Sequence, residues 1–281
     1  MKAIIDVGGG LRGIYGAGVL DYCIDHHLDF DECIGVSAGS ANIASYIARQ
    51  KGRNYPFYLD YSFRKSYMSL ENIFKKKSYL DLRYVYEALS NEGGENPLDY
   101  DAFVKSEKKF VAVGYDADHG KAHYFTKEDI ARNQYQVLEA SCCLPVVCQP
   151  VEIEGVHYYD GGLADPVPVL KALEDGCDEV VLILTRPLEK RENSAQDKVT
   201  AKILSKFDVL AAQNLLKRAE RYNQGVEIVK EMERQGKGLI VAPDTIGDMS
   251  TLTKDKEKLY LLYTKGYTDG EKIKKFLERN S

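Results

Sequence analysis

The chain has 281 residues, of which 44% are hydrophobic and 29% are charged, a composition typical of a soluble globular protein. The formal net charge of −5 argues against nucleic acid as a partner, because binding to a phosphate backbone requires a basic surface. No apolar stretch approaches the ~20 residues that a membrane-spanning helix requires.

Residues 1–7 have the pattern of a strand that runs into a glycine turn, and not that of a basic and then apolar signal segment. We therefore expect a cytoplasmic protein, and peripheral contact with the inner face of the membrane is a further possibility. The six cysteines lie among apolar neighbours, which predicts reduced and packed thiols. Neither the cysteines nor the five histidines have the spacing of metal ligands, so we expect no metal and no organic cofactor.

Two glycine-rich turns follow short apolar runs within the first forty residues. Residues 3–7 and 33–36 are apolar without alternation, as buried parallel strands are. The first leads into GGGLRG at 8–13 and the second into GVSAG at 35–39, and helices are predicted at 16–26 and 38–49. The backbone N–H groups of the first turn could stabilise an oxyanion that develops beside the second.

The GVSAG sequence has the G-x-S-x-G spacing that holds a serine on a sharp turn between a strand and a helix. Gly35 and Gly39 allow the backbone to bend tightly around Ser37. The alternative interpretation is a glycine-rich turn in which Ser37 only caps the following helix. A nucleophile beside an oxyanion hole would indicate acyl transfer.

The rest of the chain alternates strands with helices, which predicts a layered α/β fold. A charged stretch at 188–197 is the only linker-like segment and is expected to form a mobile loop. The predicted elements are a helical region at 55–90, hairpins at 110–126 and 151–159, helices at 129–143 and 167–173, a strand at 179–184, helix throughout 199–235, a strand at 238–242, and a helix at 254–279 interrupted at Gly266.

A nucleophilic serine requires a base, and none of the histidines has the setting of a triad histidine. His26 and His27 are expected at the surface, and a hairpin turn separates His119 from His123. His157 is expected to pack within a strand.

Asp160 is the alternative base. It ends a predicted strand and is followed by Gly161 and Gly162, which would allow a close backbone approach. A carboxylate held against Ser37 could accept its proton directly. The alternative is an ordinary Asp-Gly turn that joins two elements.

Four motifs in this order resemble the patatin-like phospholipase family: GGGLRG at 8–13, GVSAG at 35–39, Ala140-Ser141 with Pro145, and DGG at 160–162. The resemblance covers about residues 1–187, and the C-terminal strand and helix resemble the bacterial branch. It implies a three-layer α/β/α sandwich with a mainly parallel central sheet, and hydrolysis of lipid acyl esters through a Ser-Asp dyad. We accordingly expect a catalytic domain at 1–187, with 188–281 packed on the same domain.

The resemblance also implies roles for individual residues. Ser37 would be the nucleophile and Asp160 the base. For Ser141 we expect an architectural role, in which it bonds backbone near the site and is not catalytic. The oxyanion hole would be formed by Gly8, Gly9, Gly10 and Arg12, and the supporting glycines of the motifs would be Gly13, Gly35, Gly39, Gly161 and Gly162. One departure is Val7, which stands between Asp6 and the glycines where many members have glycine.

Two other functions fit parts of this sequence. The glycines at 8, 10 and 13 also match a dinucleotide fingerprint, but Asp29 and Asp31 precede the second strand, whereas the fingerprint requires an acidic residue after it. A non-catalytic module that binds lipid or acyl groups would keep the same residues. The preferred substrates are lipids or small esters, because cleaving a peptide would require protonation of a leaving amine.

An aromatic segment from Tyr55 to Tyr67 precedes the basic run Lys75-Lys76-Lys77. Such a face could rest on an anionic lipid surface or roof an acyl pocket. The alternative is a helical layer that packs on the sheet, with its lysines solvated.

Overall fold

A single mixed sheet lies at the centre of the computed structural model, which describes residues 1–279. Residues 280 and 281, which end the predicted segment 188–281, lie outside the described residues. Within that range the sheet has eight strands in the order β5-β6-β3-β2-β1-β7-β8, with β4 paired to β3. The strands are β1 (Lys2–Asp6), β2 (Glu32–Val36), β3 (Lys109–Asp116), β4 (Lys121–Phe125), β5 (Val151–Ile153), β6 (Val156–Asp160), β7 (Glu179–Ile183) and β8 (Gly238–Val241).

The helices cover both faces of this sheet. They are α1 (Ile14–Asp25), α2 (Ala38–Ile47), α3 (Asn54–Leu59), α4 (Leu70–Lys76), α5 (Tyr100–Lys105), α6 (Gln136–Cys142), α7 (Val169–Glu174), α8 (Ala195–Leu204), α9 (Val209–Arg234), α10 (Lys256–Asp269) and α11 (Glu271–Arg279). One core contains Ile4 with side chains of α1, α2, α6 and α10, and the other contains Ile5 with side chains of α7 and α9. The predicted three-layer sandwich is therefore confirmed.

The central strands are parallel and buried on both faces. β1 pairs in parallel with β2 and β7, β2 with β3, and β7 with β8. Parallel sheets covered by helices require apolar side chains on both faces, which explains the continuous apolar runs of β1 and β7. β8 lies outside residues 1–187, the part of the chain that carries the family resemblance, yet it extends the same sheet.

Two strands meet end to end along one edge of β3. Val36, the last residue of β2, pairs with Val113, and Asp160, the last residue of β6, pairs with Gly114. β4 pairs with β3 across both positions and so occupies the opposite edge. Because β2 is parallel to β3 and β6 is antiparallel, their carboxyl ends face each other there.

Two predicted helices are shorter or broken. The helix predicted at 129–143 is confined to α6, because Thr126 and Asp129 form a reciprocal capping box around a 3₁₀ turn and the chain between that turn and α6 is irregular. The helix predicted throughout 199–235 is interrupted between α8 and α9. There Asp208 accepts a hydrogen bond from Ala211 N and caps the start of α9.

The interruption predicted at Gly266 is wrong. α10 continues through this residue, and the break falls at Gly270, between α10 and α11. A Cβ atom at Gly266 would clash with the carbonyl oxygen of Tyr15. The glycine is therefore required for the close approach of α10 to α1 and does not mark a helix end.

The region at 55–90 is helical but divided into short pieces, namely α3, a 3₁₀ turn at Tyr61–Phe63, α4 and a π-helical turn at Tyr84–Leu89. The stretch at 188–197 has no regular structure before α8, but it is anchored on α9. Arg191 N donates to Asn223 Oδ1 at 2.8 Å, and Asn223 Nδ2 donates back to Arg191 O at 2.8 Å.

The expected environment of His157 is also wrong. This side chain is exposed and lies 3.3 Å from the Asp118 carboxylate, because it stands near the solvent end of the β5–β6 hairpin. His26 and His27 are exposed as expected, and all six cysteines are buried and unpaired. In the described part of the chain, no helix combines the length and apolarity needed to cross a bilayer.

Candidate active site

Ser37 occupies a strained turn between β2 and α2. Its φ of 57° and ψ of −136° lie in a region that residues other than glycine rarely adopt, at a cost of about 1–3 kcal/mol. The Ser37 side chain makes no capping hydrogen bond to α2, so the structure does not support the capping interpretation. Such strain is concentrated at functional sites, where the surrounding structure maintains it.

Hydrogen bonds and close packing hold this turn. Ser37 N donates to Ser141 Oγ at 3.0 Å, and Ser40 N and Oγ both bond Ser37 O, at 2.9 and 2.7 Å. A Cβ atom at Gly35 would clash with the Ser40 backbone, and one at Gly39 with the Asp6 carbonyl. The two glycines thus allow α2 to leave the strand at this angle.

Ser141 joins the turn to the sheet. Its Oγ accepts from Ser37 N and donates to Val113 O at 2.7 Å. The prediction that Ser141 bonds backbone near the site is confirmed. Because Val113 pairs with Val36, this hydroxyl fixes Ser37 relative to the edge of β3.

Asp160 reaches the same place from β6. Its Oδ1 accepts a hydrogen bond from Gly162 N at 2.8 Å. Its Oδ2 is buried, and no donor among residues 1–279 forms a well-oriented hydrogen bond to it. Burial raises the pKa of Asp160, while the nearby Ser37 hydroxyl and the Gly162 amide oppose that rise. A Cβ atom at Gly161 would clash with Val113 O, so the chain can cross β3 this closely only with glycine there.

The first glycine turn lies beside these two residues. Gly8, Gly9 and Gly10 have φ values of 63°, 130° and 60°, which strongly favour glycine. Gly8 N donates to Asp6 Oδ1 at 2.9 Å, and Leu11 N donates to Thr251 O at 2.8 Å. Within the described chain, the N–H groups of Gly9 and Gly10 have no protein acceptor and are the two amides left for a ligand.

A buried polar network, not predicted from the sequence, holds this turn against α2. Asn42 Nδ2 donates to Asp6 Oδ2 at 2.8 Å and to Gly13 O at 2.9 Å, and Tyr58 Oη donates to Asn42 Oδ1 at 3.0 Å. Burial raises the pKa of Asp6 to about 6, against the lowering effect of the Asn42 and Gly8 bonds. An asparagine within the otherwise small and apolar sequence of α2 is the signal that could have indicated the network.

Thr185 also holds the glycine turn, because its Oγ1 donates a hydrogen bond to Gly8 O.

Arg12 is buried next to Gly9. Its side chain is 5% exposed, and its Nη2 lies 3.5 Å from where a Cβ atom of Gly9 would be. Burial, together with the positive charges of Arg186 and Arg218, lowers the pKa of Arg12 to about 10. Among the described residues, no carboxylate forms an ion pair with Arg12.

Ser37 lies where two cavities meet. A narrow apolar cavity of about 70 Å³ runs between α2 and the 55–90 region, lined by side chains that include Tyr58, Met68, Leu82 and Tyr86. A larger cavity of about 550 Å³ lies on the other side; its lining is mixed, and we call it the polar cavity because of its charged side chains. Its lining includes Gly8, Gly9, Gly10, Arg12, Ser37, Asp160, Gly162, Arg186, Arg191 and Arg218.

The structure thus brings the predicted nucleophile, base and oxyanion residues to one cavity. Gly13, Gly35, Gly39 and Gly161 lie behind it, where they allow close packing. Asp29 and Asp31 lie at the amino end of β2, away from the glycine turn at the carboxyl end of β1, so they cannot bind a ribose there. Residues 1–279 contain no group of three or more side chains that could hold a metal ion.

Comparisons with known proteins agree with this architecture. A family model described as "Patatin-like phospholipase" matches residues 7–173, and one described as "Domain of unknown function (DUF6363)" matches residues 211–279. The uncharacterized protein YjjU of Escherichia coli (strain K12) is 31% identical over 192 residues, which cover 66% of this chain and 52% of YjjU. This chain thus spans about half of that relative.

A solved structure shares the fold at low sequence identity. VipD from Legionella pneumophila matches with a TM-score of 0.50 and 13% identity. The match covers 97% of this chain and 66% of the VipD chain.

We predict that Asp160→Asn stabilises the folded protein at pH 8. Burial raises the pKa of Asp160 in the folded state above its unfolded value of about 3.8. Asp160 is protonated in both states below that value, and its contribution to the free energy of unfolding is then fully present. This contribution is lost as the pH rises through the folded-state pKa, because the buried side chain becomes charged. Removing the buried charge should raise the Tm by a few degrees at pH 8, and the difference should shrink towards about pH 4. Thermal unfolding at several pH values measures this.

The control is Asp60→Asn, because Asp60 is an exposed aspartate and its replacement should leave the Tm nearly unchanged at both pH values. A lower Tm for Asp160→Asn at pH 8 would contradict the burial of an unfavourable charge at this position.

Proposed function

This chain belongs to the patatin-like phospholipase family, and on that premise we propose that it hydrolyses lipid acyl esters with Ser37 as nucleophile and Asp160 as general base. The observation that carries the proposal is the convergence of Ser37 and Asp160 on one edge of β3, between an apolar and a polar cavity.

In the proposed first step, Ser37 Oγ attacks the ester carbonyl carbon while Asp160 Oδ2 accepts the hydroxyl proton. The tetrahedral intermediate collapses, the bond to the leaving alkoxide breaks, and Asp160 returns the proton to that oxygen. A water molecule then attacks the acyl-enzyme with Asp160 again as base, which releases the fatty acid and restores Ser37. The unpartnered Oδ2 and its raised pKa suit this role, because burial makes the carboxylate a stronger base.

The proposed oxyanion hole consists of the N–H groups of Gly9 and Gly10, with Arg12 adding positive charge. Gly8 N is already bonded to Asp6, so Gly8 contributes the turn but not its amide. A well-placed donor of this kind lowers the barrier by about 3–4 kcal/mol.

The two cavities suggest how a substrate would be oriented. The acyl chain would enter the apolar cavity, and the rest of the lipid would occupy the polar one. A substrate with one apolar and one polar end fits this arrangement better than a peptide or a dinucleotide does. We also propose that 1–187 is the catalytic part and that 188–281 completes it, because β8 extends the sheet and Thr251 bonds the glycine turn.

The decisive experiment is an assay of fatty-acid release from a lysophospholipid and from a short-chain ester. We expect Ser37→Ala and Asp160→Asn each to lower kcat by at least about 10³-fold, because each removes a group that acts in the bond-making step. Ser66→Ala replaces an exposed serine and should retain wild-type activity. If the folded wild-type protein bound lipid without releasing fatty acid, the non-catalytic binding module would replace the hydrolase.

We propose further that α4 contacts the membrane that holds the substrate. Leu70 and Phe74 are 69% and 88% exposed on this short helix, and Ile73 is also exposed. The helix runs into Lys75, Lys76 and Lys77, and Met68 just before it lines the apolar cavity.

Tyr58 and Tyr61 of the aromatic segment are buried, so we assign the membrane contact to α4 and not to that segment. Two of its lysines also pair with neighbouring carboxylates, Lys75 with Glu71 and Lys76 with Asp81. The Lys75–Glu71 pair is exposed and therefore weak, so it does not prevent contact with anionic lipid, whereas Lys76 pairs with a buried carboxylate.

Phe74→Ser should weaken binding to anionic vesicles by about tenfold or more, because it removes the most exposed apolar side chain of α4. Co-sedimentation with vesicles at low and high salt measures the effect. Phe207→Ser is the matched control, since Phe207 is 63% exposed but lies between α8 and α9. Equal binding by wild type and Phe74→Ser would contradict this contact.

A further inference from the structure

Four arginines line the polar cavity beside Ser37, although the chain as a whole carries a net charge of −5. They are Arg12, Arg186, Arg191 and Arg218. Among the described residues, the only ion pair that any of them forms is between Arg218 and Asp197, at 2.7 Å. Three carboxylates, Asp160, Glu192 and Asp197, line the same cavity, and Asp197 is the one that pairs with Arg218. Among the described residues, the other three arginines of the cluster therefore line the cavity without an ion-pair partner.

The cluster also contains buried polar groups without partners. Arg12 Nε, Arg218 Nε and Tyr222 Oη are buried without hydrogen-bond partners in the described structure. Burial, together with the charges of Arg218 and Arg186, lowers the pKa of Arg191 to about 9. Like charges held close together without partners are costly, and an anion bound among these arginines would offset that cost.

The cluster is also held in position before any ligand binds. The Arg191 backbone exchanges two hydrogen bonds with Asn223, and its guanidinium lies 5.3 Å from the centre of the Tyr222 ring. Arg218 is held by Asp197, which caps α8 together with Ser194. Such preorganisation reduces the entropy lost when a ligand binds.

We propose that Arg186, Arg191 and Arg218 bind the phosphate group of the substrate. The inference rests on the proposed hydrolase activity and deepens it, since it assigns an anionic headgroup to the lipid. Guanidinium groups bind phosphate through paired, charge-assisted hydrogen bonds. With the acyl chain in the apolar cavity and the ester at Ser37, a phosphate on the same glycerol unit would lie in the arginine-lined cavity. Phosphate-bearing acylglycerols are thus preferred over neutral ones.

The first test measures binding by calorimetry with Ser37→Ala protein, so that no turnover interferes. Inorganic phosphate and sn-glycerol 3-phosphate are the probes. Arg191→Gln combined with Arg186→Gln should weaken glycerol phosphate binding by about tenfold or more, the effect of losing charge-assisted hydrogen bonds. The control Arg234→Gln, in an exposed arginine at the end of α9, should bind as the parent does. Equal binding by the double variant and its parent would overturn the proposal.

The second test compares kcat/KM for 1-acyl-glycerol 3-phosphate and for a monoacylglycerol of the same chain length. The wild type should prefer the phosphate lipid, and the double variant should lose about tenfold or more of that preference, mainly through KM. Binding of inorganic phosphate without any preference between the lipids would indicate a free-anion site and overturn the headgroup assignment.

The two tests also separate this proposal from the hydrolase itself. If neither lipid is hydrolysed while glycerol phosphate still binds in an arginine-dependent way, the hydrolase fails and the anion site stands. If both lipids are hydrolysed equally by wild type and double variant, the hydrolase stands and the headgroup site fails.

Discussion

The meeting of β2 and β6 on a single edge of β3 is the constraint on which the candidate site depends. Val113 and Gly114 are neighbours in β3, and they pair with the last residues of the two converging strands. Ser141 then fixes the spacing, because its hydroxyl bonds both Ser37 N and Val113 O. The sheet, and not any loop, therefore sets the distance between Ser37 and Asp160. A site built on strand ends is more rigid than one built on loops alone.

Burial has opposite consequences for stability and for the proposed chemistry. Asp6, Asp160 and Arg12 are all removed from solvent at the carboxyl end of the sheet, where their charged forms are costly. The bonds from Asn42 and Gly8 offset this cost for Asp6, and so the charge organises the glycine turn. Asp160 keeps an unpartnered oxygen, and Arg12 an unpartnered Nε. Two of the groups that we assign to catalysis are thus buried without all of their hydrogen-bond partners.

The sequence predicted local features better than those that depend on distant contacts. The glycine turns, both hairpins and the parallel strands follow from short patterns, so they could be read directly. The end-to-end meeting of β2 and β6 was implied only through the family resemblance, since residues 36 and 160 are far apart in the chain. Gly266 was misread because its reason is the Tyr15 carbonyl on another helix. The arginine cluster has no spacing signal, because its members come from three separate segments, namely the first glycine turn, the stretch between β7 and α8, and α9.

The most direct test of the central claim is the intact mass of the protein after reaction with a fluorophosphonate, which forms a stable bond with an activated serine. We expect one adduct on wild type and none on Ser37→Ala. Asp160→Asn should remain folded and react far more slowly, because its side chain can no longer accept the serine proton. Labelling of Ser37→Ala, or labelling of Asp160→Asn at the wild-type rate, would contradict the proposed pair of nucleophile and base.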